Sequence, residues 1–560
     1  MHRFQNIFIF IHSEDKDNRM KRLYKYFFLL ILPVLLFYLG RLINKSFGAF
    51  FLTGIDPEYT YLLNGLCVAQ LKLNFGHFHH PGTPLQCVIA ITSIIVHAGN
   101  RGLTLAEDIF VNPEYFLHAS NIAINIINTL LLLIAGYLIY QRSRNLILAI
   151  FIQASPFANQ LVLETMGRVI PEALLGIASI LLILIVFFYI TKADSNVSSI
   201  KYIILFSLIS GYGLAIKVTF IPLIIIPLIL IPSLINKLKY LLMTIISFFI
   251  FAFPLLGKPD KFWIWMKRLF IHSGRYGAGK SNIIDISDFT GNIKLLISED
   301  KLLFILLSVF IFIVIIYFIK PLKLKFKNDI EYKALVAIVS AIIIQYLIVA
   351  KHYASIYMVP AFCLSAFGIY LAISILSRIF LKFHITGTIK NILYLVIIIL
   401  IVGSTYNKVI ADNQIRRQKV EKRMQTLDYV SNNIKDKTVL VVPWFYGAAY
   451  VERGLAEGLF YTRKYKAAFS KLLQKYYPNT YFFLPWHDRY YDWQLIWDKG
   501  LDLEEFVNNN EEIYIYFGVE DINLMNRIFN DLISFCPSET IKPARIYYNY
   551  ETKESIYRFK

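Results

Sequence analysis

From residue 26 to residue 406 the chain is a succession of apolar runs separated by short polar breaks. Runs at 26–43, 116–140, 146–163, 169–190, 202–215, 220–235, 240–256, 302–319, 334–350, 356–376 and 392–406 are each read as one crossing, most of them reaching the roughly 17–25 residues of helix that a bilayer core takes. The pattern predicts an all-α polytopic membrane domain of about 11 transmembrane helices. A shorter run at 84–98, about 15 residues, is read as dipping into the interface. After residue 408 the pattern changes. Strand-like segments at 439–443, 480–484 and 513–517 alternate with helical periods at 503–508 and 522–533, and 544–559 reads as a hairpin. This predicts a small α/β domain over 409–560.

Composition supports that division. The 560 residues are 57% hydrophobic with mean hydropathy +0.53, against about 45–50% apolar for soluble domains. The net charge of +19 is therefore read as loop charge beside anionic lipid, not as a nucleic-acid footprint. In one register the basic breaks at 141–144, 192–201, 236–239, 320–327 and 378–390 share a side with the basic N-terminus, as the positive-inside rule requires. Residues 1–25 are then a cytoplasmic segment. Residues 26–408 form the transmembrane domain, with outer loops at 53–115 and 257–301, and residues 409–560 are external or periplasmic. No small-residue cleavage site follows the first run, so it is read as a signal anchor in an inner or plasma membrane. The four cysteines show no CxxC or Cys/His zinc spacing.

The candidate chemistry begins at Asp56-Pro57-Glu58, followed by an amphipathic run, His77, His79 and His80, and the turn Pro81-Gly82-Thr83-Pro84. A helix starting at Pro57 would place Glu58 in its first turn and Asp56 at its cap. A helix start alone would also explain the triplet. What distinguishes it is its setting, because the register gathers Asp56, Glu58, His77, His79, His80, Glu164, Arg168, Glu172, Lys217, His272, Arg275, Lys280, Lys351, His352 and Tyr353 at one outer membrane level. Ionisable groups at membrane depth are costly and mark functional sites by default. Plainer readings stand beside this one. Lys217 could snorkel to water, and Lys351-His352-Tyr353 could be a charged interfacial anchor. Gly274 to Ser281 fits the Walker A spacing, but it lacks the preceding strand and lies outside, so it is read as a flexible loop or a phosphate-binding nest.

Three motifs in order carry a resemblance: Asp56-Pro-Glu58 with His80-Pro-Gly-Thr-Pro-Leu85; Ser155-Pro156 through Arg168 to Glu172; and Lys351-His-Tyr353 through Pro360. Over roughly residues 20–380 the chain resembles the GT-C glycosyltransferases, most closely the branch holding protein O-mannosyltransferases and the lipid A aminoarabinose transferase. It departs from them where Gly82 and Thr83 separate two prolines that the family has adjacent. The resemblance implies inverting hexosyl or pentosyl transfer from a polyprenyl-phosphate-linked donor to a protein, lipid or glycan acceptor at the outer face. It implies Asp56 as base, with Glu58 and Glu172 orienting. Cations among Arg168, Lys217, Arg275, Lys280 and Lys351 would meet the leaving phosphate, beside His80, His272, His352 and Tyr353. No cofactor is required, although the histidines with Glu58 could bind a divalent metal. The competing readings are a secondary transporter, a polysaccharide ligase or polymerase, and an envelope scaffold. In the C-terminal domain Trp444, Trp486, His487 and Trp493 suggest carbohydrate contact or core packing.

Overall fold

A computed structural model describes residues 16–72, 80–100, 102–192, 199–257, 259–274, 277, 279, 281–318, 329–379, 386–444, 447–485, 488–491, 500–536 and 542–560. Among these, seven helices are long and apolar enough to cross a membrane: Tyr24–Phe47, Pro113–Ser143, Glu172–Ile190, Leu234–Phe251, Ile330–Lys351, Ser355–Arg378 and Gly387–Asn433. An eighth crossing is made if Ile286–Glu299 and Lys301–Tyr317, bent by 99° about Asp300, count as one. The count of about 11 is thus not confirmed, although the fold fits a multi-pass membrane protein. The shortfall has physical causes. The run at 146–163 is broken by a 3-10 turn at Ser155–Ala158, which begins at Ser155-Pro156. The run at 220–235 divides into a 3-10 segment Val218–Ile224 and a short helix Ile225–Leu230, with Pro222 and Pro227 inside. Proline removes a backbone donor and clashes with the preceding turn.

The Glu172–Ile190 helix is apolar all round, and 78% of its span is buried, whereas the span of Gly387–Asn433 is only 11% buried. A helix without a polar face belongs in the centre of a bundle, and here it packs between Pro113–Ser143, Ser199–Ile216 and Val359–Ile379. The two predicted outer loops are largely helical. The first holds Glu58–Ala69, Thr83–His97 and Leu105–Val111; the second holds Pro259–Ile271 and Ile286–Glu299. Thr83–His97 has 15 residues, a length of about 22 Å, short of a roughly 30 Å core.

The final spanning helix does not stop at residue 408 but runs on to Asn433 and leads directly into the C-terminal sheet. Strands β1 Thr438–Val442, β2 Thr480–Leu484, β3 Arg489–Tyr491, β4 Ile513–Phe517, β5 Ala544–Asn549 and β6 Glu554–Arg558 are ordered β3-β2-β1-β4-β6-β5. The centre, β2-β1-β4, is parallel, and the flanking pairs are antiparallel. Every residue of β4 is buried, which explains its continuous apolar text. Ile513, Ile515 and Phe517 share a core with Phe506 and Ile528, on the helices Leu503–Asn509 and Ile522–Ile533. Tyr514 and Tyr516 belong to the main core on the other face.

The sheet domain sits directly on the Asp56 region. The Val451–Phe460 helix lies against Glu58–Ala69, and its small residues Gly454 and Gly458 permit the approach. A Cβ on Gly454 would lie 2.6 Å from the Tyr59 ring, and one on Gly458 would lie 2.6 Å from the Tyr59 carbonyl oxygen. The Ala448 amide donates to the Phe51 carbonyl at 3.1 Å. The Arg423 guanidinium donates to the Leu52 carbonyl and lies 4.8 Å from the centre of the Trp444 ring.

Candidate functional site

The segment 50–59 presents the acidic pair, and one carboxylate fixes both of its ends. Glu114, in the first turn of Pro113–Ser143, accepts from the Phe50 amide at 2.8 Å, the Phe51 amide at 3.1 Å and the Tyr59 hydroxyl at 2.6 Å. Between these anchors the peptide Asp56–Pro57 is cis. Pro57, not Asp56, is the residue that precedes the helix, and no side chain caps it. The predicted capping role of Asp56 is therefore not realised, because the helix begins one residue later than proline spacing suggested. Asp56 is exposed, while Glu58 is fully buried.

A buried carboxylate needs a partner, and Glu58 has a forked one. Arg168 Nε donates to Glu58 Oε1 at 2.6 Å, and Nη2 donates to Oε2 at 2.9 Å. Nη2 also reaches the Asp56 carbonyl oxygen at 3.4 Å. Burial pulls the Arg168 guanidinium down, but the charges of Glu58, Glu172 and Asp56 more than offset it and hold it above its ordinary value. Its side chain is 28% exposed, and Nη1 makes no hydrogen bond to the described residues.

The Arg168 turn is itself held from the apolar helix behind it. Asn121 donates to the carbonyls of Met166 and Arg168, Asn125 to that of Met166, and Asn128 to that of Ala173. Asn44 donates to the Gly167 carbonyl at 2.9 Å. These asparagines were not among the predicted site residues. Their signal was in the text, since positions 121, 125 and 128 form one polar stripe at i, i+4, i+7 on a spanning helix.

A second buried pair lies beside the first. Lys217, in extended backbone between the Ser199–Ile216 helix and the 3-10 segment after it, pairs with Glu172. Both side chains are almost fully buried, so Lys217 is paired inside rather than snorkelling to water. The Lys217 ammonium stands 4.5 Å from the centre of the Tyr357 ring. Gln345 donates to the carbonyls of Thr219 and Tyr357, tying the break to that ring. His80 completes the row, 6.3 Å from Tyr357 and edge-on to Trp265 at 4.9 Å. Six predicted residues, Asp56, Glu58, His80, Arg168, Glu172 and Lys217, thus belong to one connected network.

The remaining cluster is built differently. Lys351 donates to the carbonyls of Leu269 and Phe270, both at 2.7 Å. The His352 ring nitrogens lie 2.7 Å from the Gly274 oxygen and 2.9 Å from the Leu269 oxygen. His272 contacts the Gly279 carbonyl at 3.0 Å, and Tyr353 donates to Glu299. Lys351 and His352 clasp the C-terminal end of the Pro259–Ile271 helix, where cations satisfy the last carbonyls, whereas Tyr353 reaches the end of the Ile286–Glu299 helix. A helix, not a strand, precedes the Walker-like glycines, which fits the reading that no P-loop forms there. Arg275, Lys280, His77, His79, Trp486, His487 and Trp493 lie outside the described residues.

No group of three or more His, Cys, Asp or Glu is placed to hold a metal among the described residues.

The chain was compared with known proteins. No protein-family model matches it, and no curated protein does. Among solved structures it is similar to ArnT from Cupriavidus metallidurans bound to undecaprenyl phosphate, with 10% identity, a TM-score of 0.45, and coverage of 94% of this chain and 98% of that one. It is also similar to the apo state of the same protein, with 9% identity, a TM-score of 0.43, and coverage of 94% and 97%.

Chemically, the network offers one exposed carboxylate beside a buried, neutralised one. Arg168 Nη1 keeps two N–H groups, and Lys217 spends one of its three on Glu172. The arrangement can take a proton at Asp56 and donate to an anion from a fixed cationic edge.

Proposed function

We propose that the protein is an inverting glycosyltransferase that moves a sugar from a polyprenyl-phosphate-linked donor to an acceptor at the outer membrane face. The observation that carries the reading is the division of labour between the two acids. Glu58 is locked to Arg168 and cannot serve as a mobile base, whereas Asp56, two residues away, is exposed. In the reaction an acceptor hydroxyl or amine attacks the anomeric carbon. The bond from that carbon to the phosphate oxygen breaks, its electron pair leaves with the lipid phosphate, and Asp56 takes the acceptor's proton. Arg168 Nη1 and Lys217 face the growing negative charge, with Arg275 and Lys280 as further candidates from the loop after Ile271. Glu58 holds Arg168, and Glu172 holds Lys217. The phosphate is an adequate leaving group without a metal. In this reading the C-terminal domain lies outside with the site, on whose Asp56 segment it packs.

One observation favours a second reading, secondary transport: Lys217 occupies a break between helical segments and pairs with an acid inside the bundle, as transporter sites do. A single experiment separates the two. Proteoliposomes holding the full chain are given a panel of radiolabelled polyprenyl-phosphate sugars, with Asp56→Asn beside the parent. Transfer by the parent and none by the folded variant supports the enzyme. Sugar or ion flux without transfer from any donor overturns it.

A further inference from the structure

We infer that the C-terminal domain carries a separate binding groove for an uncharged oligosaccharide, on the face formed by the end of the long helix and the β5–β6 hairpin. The groove is a shallow, open one of about 620 Å³ between residues 425–433 and 547–551. That volume lies within the roughly 300–1,000 Å³ of small-ligand sites. It shares no residue with the Asp56–Arg168 network.

Its chemistry is specific. The lining contains four tyrosines and no aliphatic side chain. Tyr429 and Tyr547 stack with centroids 4.3 Å apart and planes at 24°, and Tyr548 and Tyr550 meet edge-on at 4.8 Å. Tyr550 is 84% exposed. The other three rings are half-buried; an exposed ring such as that of Tyr550 is rigid, costs little entropy to engage and presents an electron-rich face. Such faces attract the C–H side of a pyranose ring. A protein-binding groove of this size would be expected to include aliphatic anchors, and this one has none.

The helix supplies the hydroxyl partners. Gln425, Asp428 and Asn432 recur at i, i+3, i+7, one stripe of the Gly387–Asn433 helix alongside Tyr429. All three are exposed and make no hydrogen bond to the described residues. They combine an acceptor-only carboxylate with amides that both donate and accept, the set that paired sugar hydroxyls require. The other groups are engaged: Asn549 donates to Lys422 and Thr426, and Glu551 pairs with Lys422. That pairing leaves Asp428 as the open charge among the lining residues, which disfavours an acidic sugar and fits an uncharged one. β5 is the edge strand, with a register shift between Arg545 and Tyr547, so the hairpin side of the groove ends on an open sheet edge.

The test uses the full chain in lipid nanodiscs with fluorescent chitohexaose, maltohexaose and mannohexaose. Binding is read by fluorescence polarisation for the parent, Tyr550→Ala and Asp428→Asn. Both positions are exposed, so both variants should keep the parent's unfolding midpoint. The parent should bind at least one oligosaccharide, and each variant should weaken that binding roughly tenfold. Asp56→Asn should bind like the parent, which separates this groove from the transfer site. Binding of none of the three, or binding that both variants retain, overturns the inference. Capture of labelled polypeptide in place of all three sugars overturns it as well.

Discussion

Two groups of cations stand at the ends of the spanning helices, and they are answered in opposite ways. Arg168 and Lys217 meet carboxylates, Glu58 and Glu172, inside the bundle. Lys351 and His352 meet main-chain carbonyls at the end of the Pro259–Ile271 helix. A cation satisfied by carbonyls closes a helix end, and its charge is incidental to the fold's geometry. A cation paired with a buried acid carries the cost of two desolvated charges and persists only where the surroundings fix it. By sequence both groups looked alike, because both place basic residues beside aromatic ones at one membrane level. The acid pairing is what supports proposing the first as the site.

The sharpest way to break the comparison is to remove one member of the first pair. Arg168→Leu leaves Glu58 buried and unpaired, and should cost about 3–5 kcal/mol. Transfer should vanish with it. Combining it with Glu58→Leu should recover most of the stability, since an apolar pair of similar volume is tolerated, while transfer stays absent. Denaturant unfolding in nanodiscs beside transfer assays reads both. Recovery of transfer by the double variant would show that the pair is structural only.

Next is Glu114, which sharpens the comparison by acting at a distance from the charges. It holds Phe50, Phe51 and Tyr59, and so the turn that presents Asp56. In Glu114→Gln one acceptor oxygen becomes an NH2 facing donors. Stability should fall by about 1–3 kcal/mol for the unmet donors. The turnover rate should fall further, on the order of 10²-fold for a displacement of about 1 Å, with donor KM little changed. Equal loss in KM and turnover would assign Glu114 to substrate binding instead.

The carbonyl clasp should respond weakly. Lys351→Met removes two charge-to-carbonyl bonds from a partly exposed site and should cost about 1–3 kcal/mol. Transfer should drop less than roughly tenfold, because no reacting group loses its partner. A loss of transfer as complete as that of Arg168→Leu, in a folded protein, would return Lys351 to the phosphate-binding set.

How much of this was legible beforehand depends on which physics the text records. Hydrophobic runs gave the class of the membrane domain, and the strands at 480–484 and 513–517 emerge where the pattern placed them. The count of about 11 spans is not confirmed where prolines sit inside apolar text, as at Pro156, Pro222 and Pro227, because apolar content alone does not report a broken ladder. Asp56, Glu58, Arg168, Glu172 and Lys217 were singled out by sidedness. Their pairing was not, since Arg168 and Glu58 are 110 residues apart and no local rule joins them. The helices Val451–Phe460 and Lys466–Tyr476 and the short strand β3 were also missed. The first of these carries Gly454 and Gly458 at the spacing of a close helix contact, a signal that needs its partner helix to be read.

The smallest expected effect lies at the junction between the membrane domain and the sheet domain, and it tests whether an exposed pair behaves unlike the buried ones. Glu107, on the Leu105–Val111 helix, accepts from Lys475 of the Lys466–Tyr476 helix at 2.6 Å. It also closes a capping box with Thr104. The Lys475 bond first, then those from Thr104, hold its carboxyl down at about 2, against an ordinary 4.5. A depressed carboxyl stabilises the folded state above its unfolded value, and that contribution drains as pH falls from 4.5 toward 2. Thermal unfolding should therefore show the parent losing more stability between those pH values than Glu107→Gln does. Salt should shrink the difference, because exposed pairs are screened, whereas the penalty of Arg168→Leu should hardly change with salt. Equal salt sensitivity of the two would mean that water reaches Glu58, and the contrast between buried acid pairing and surface pairing would fail at its centre.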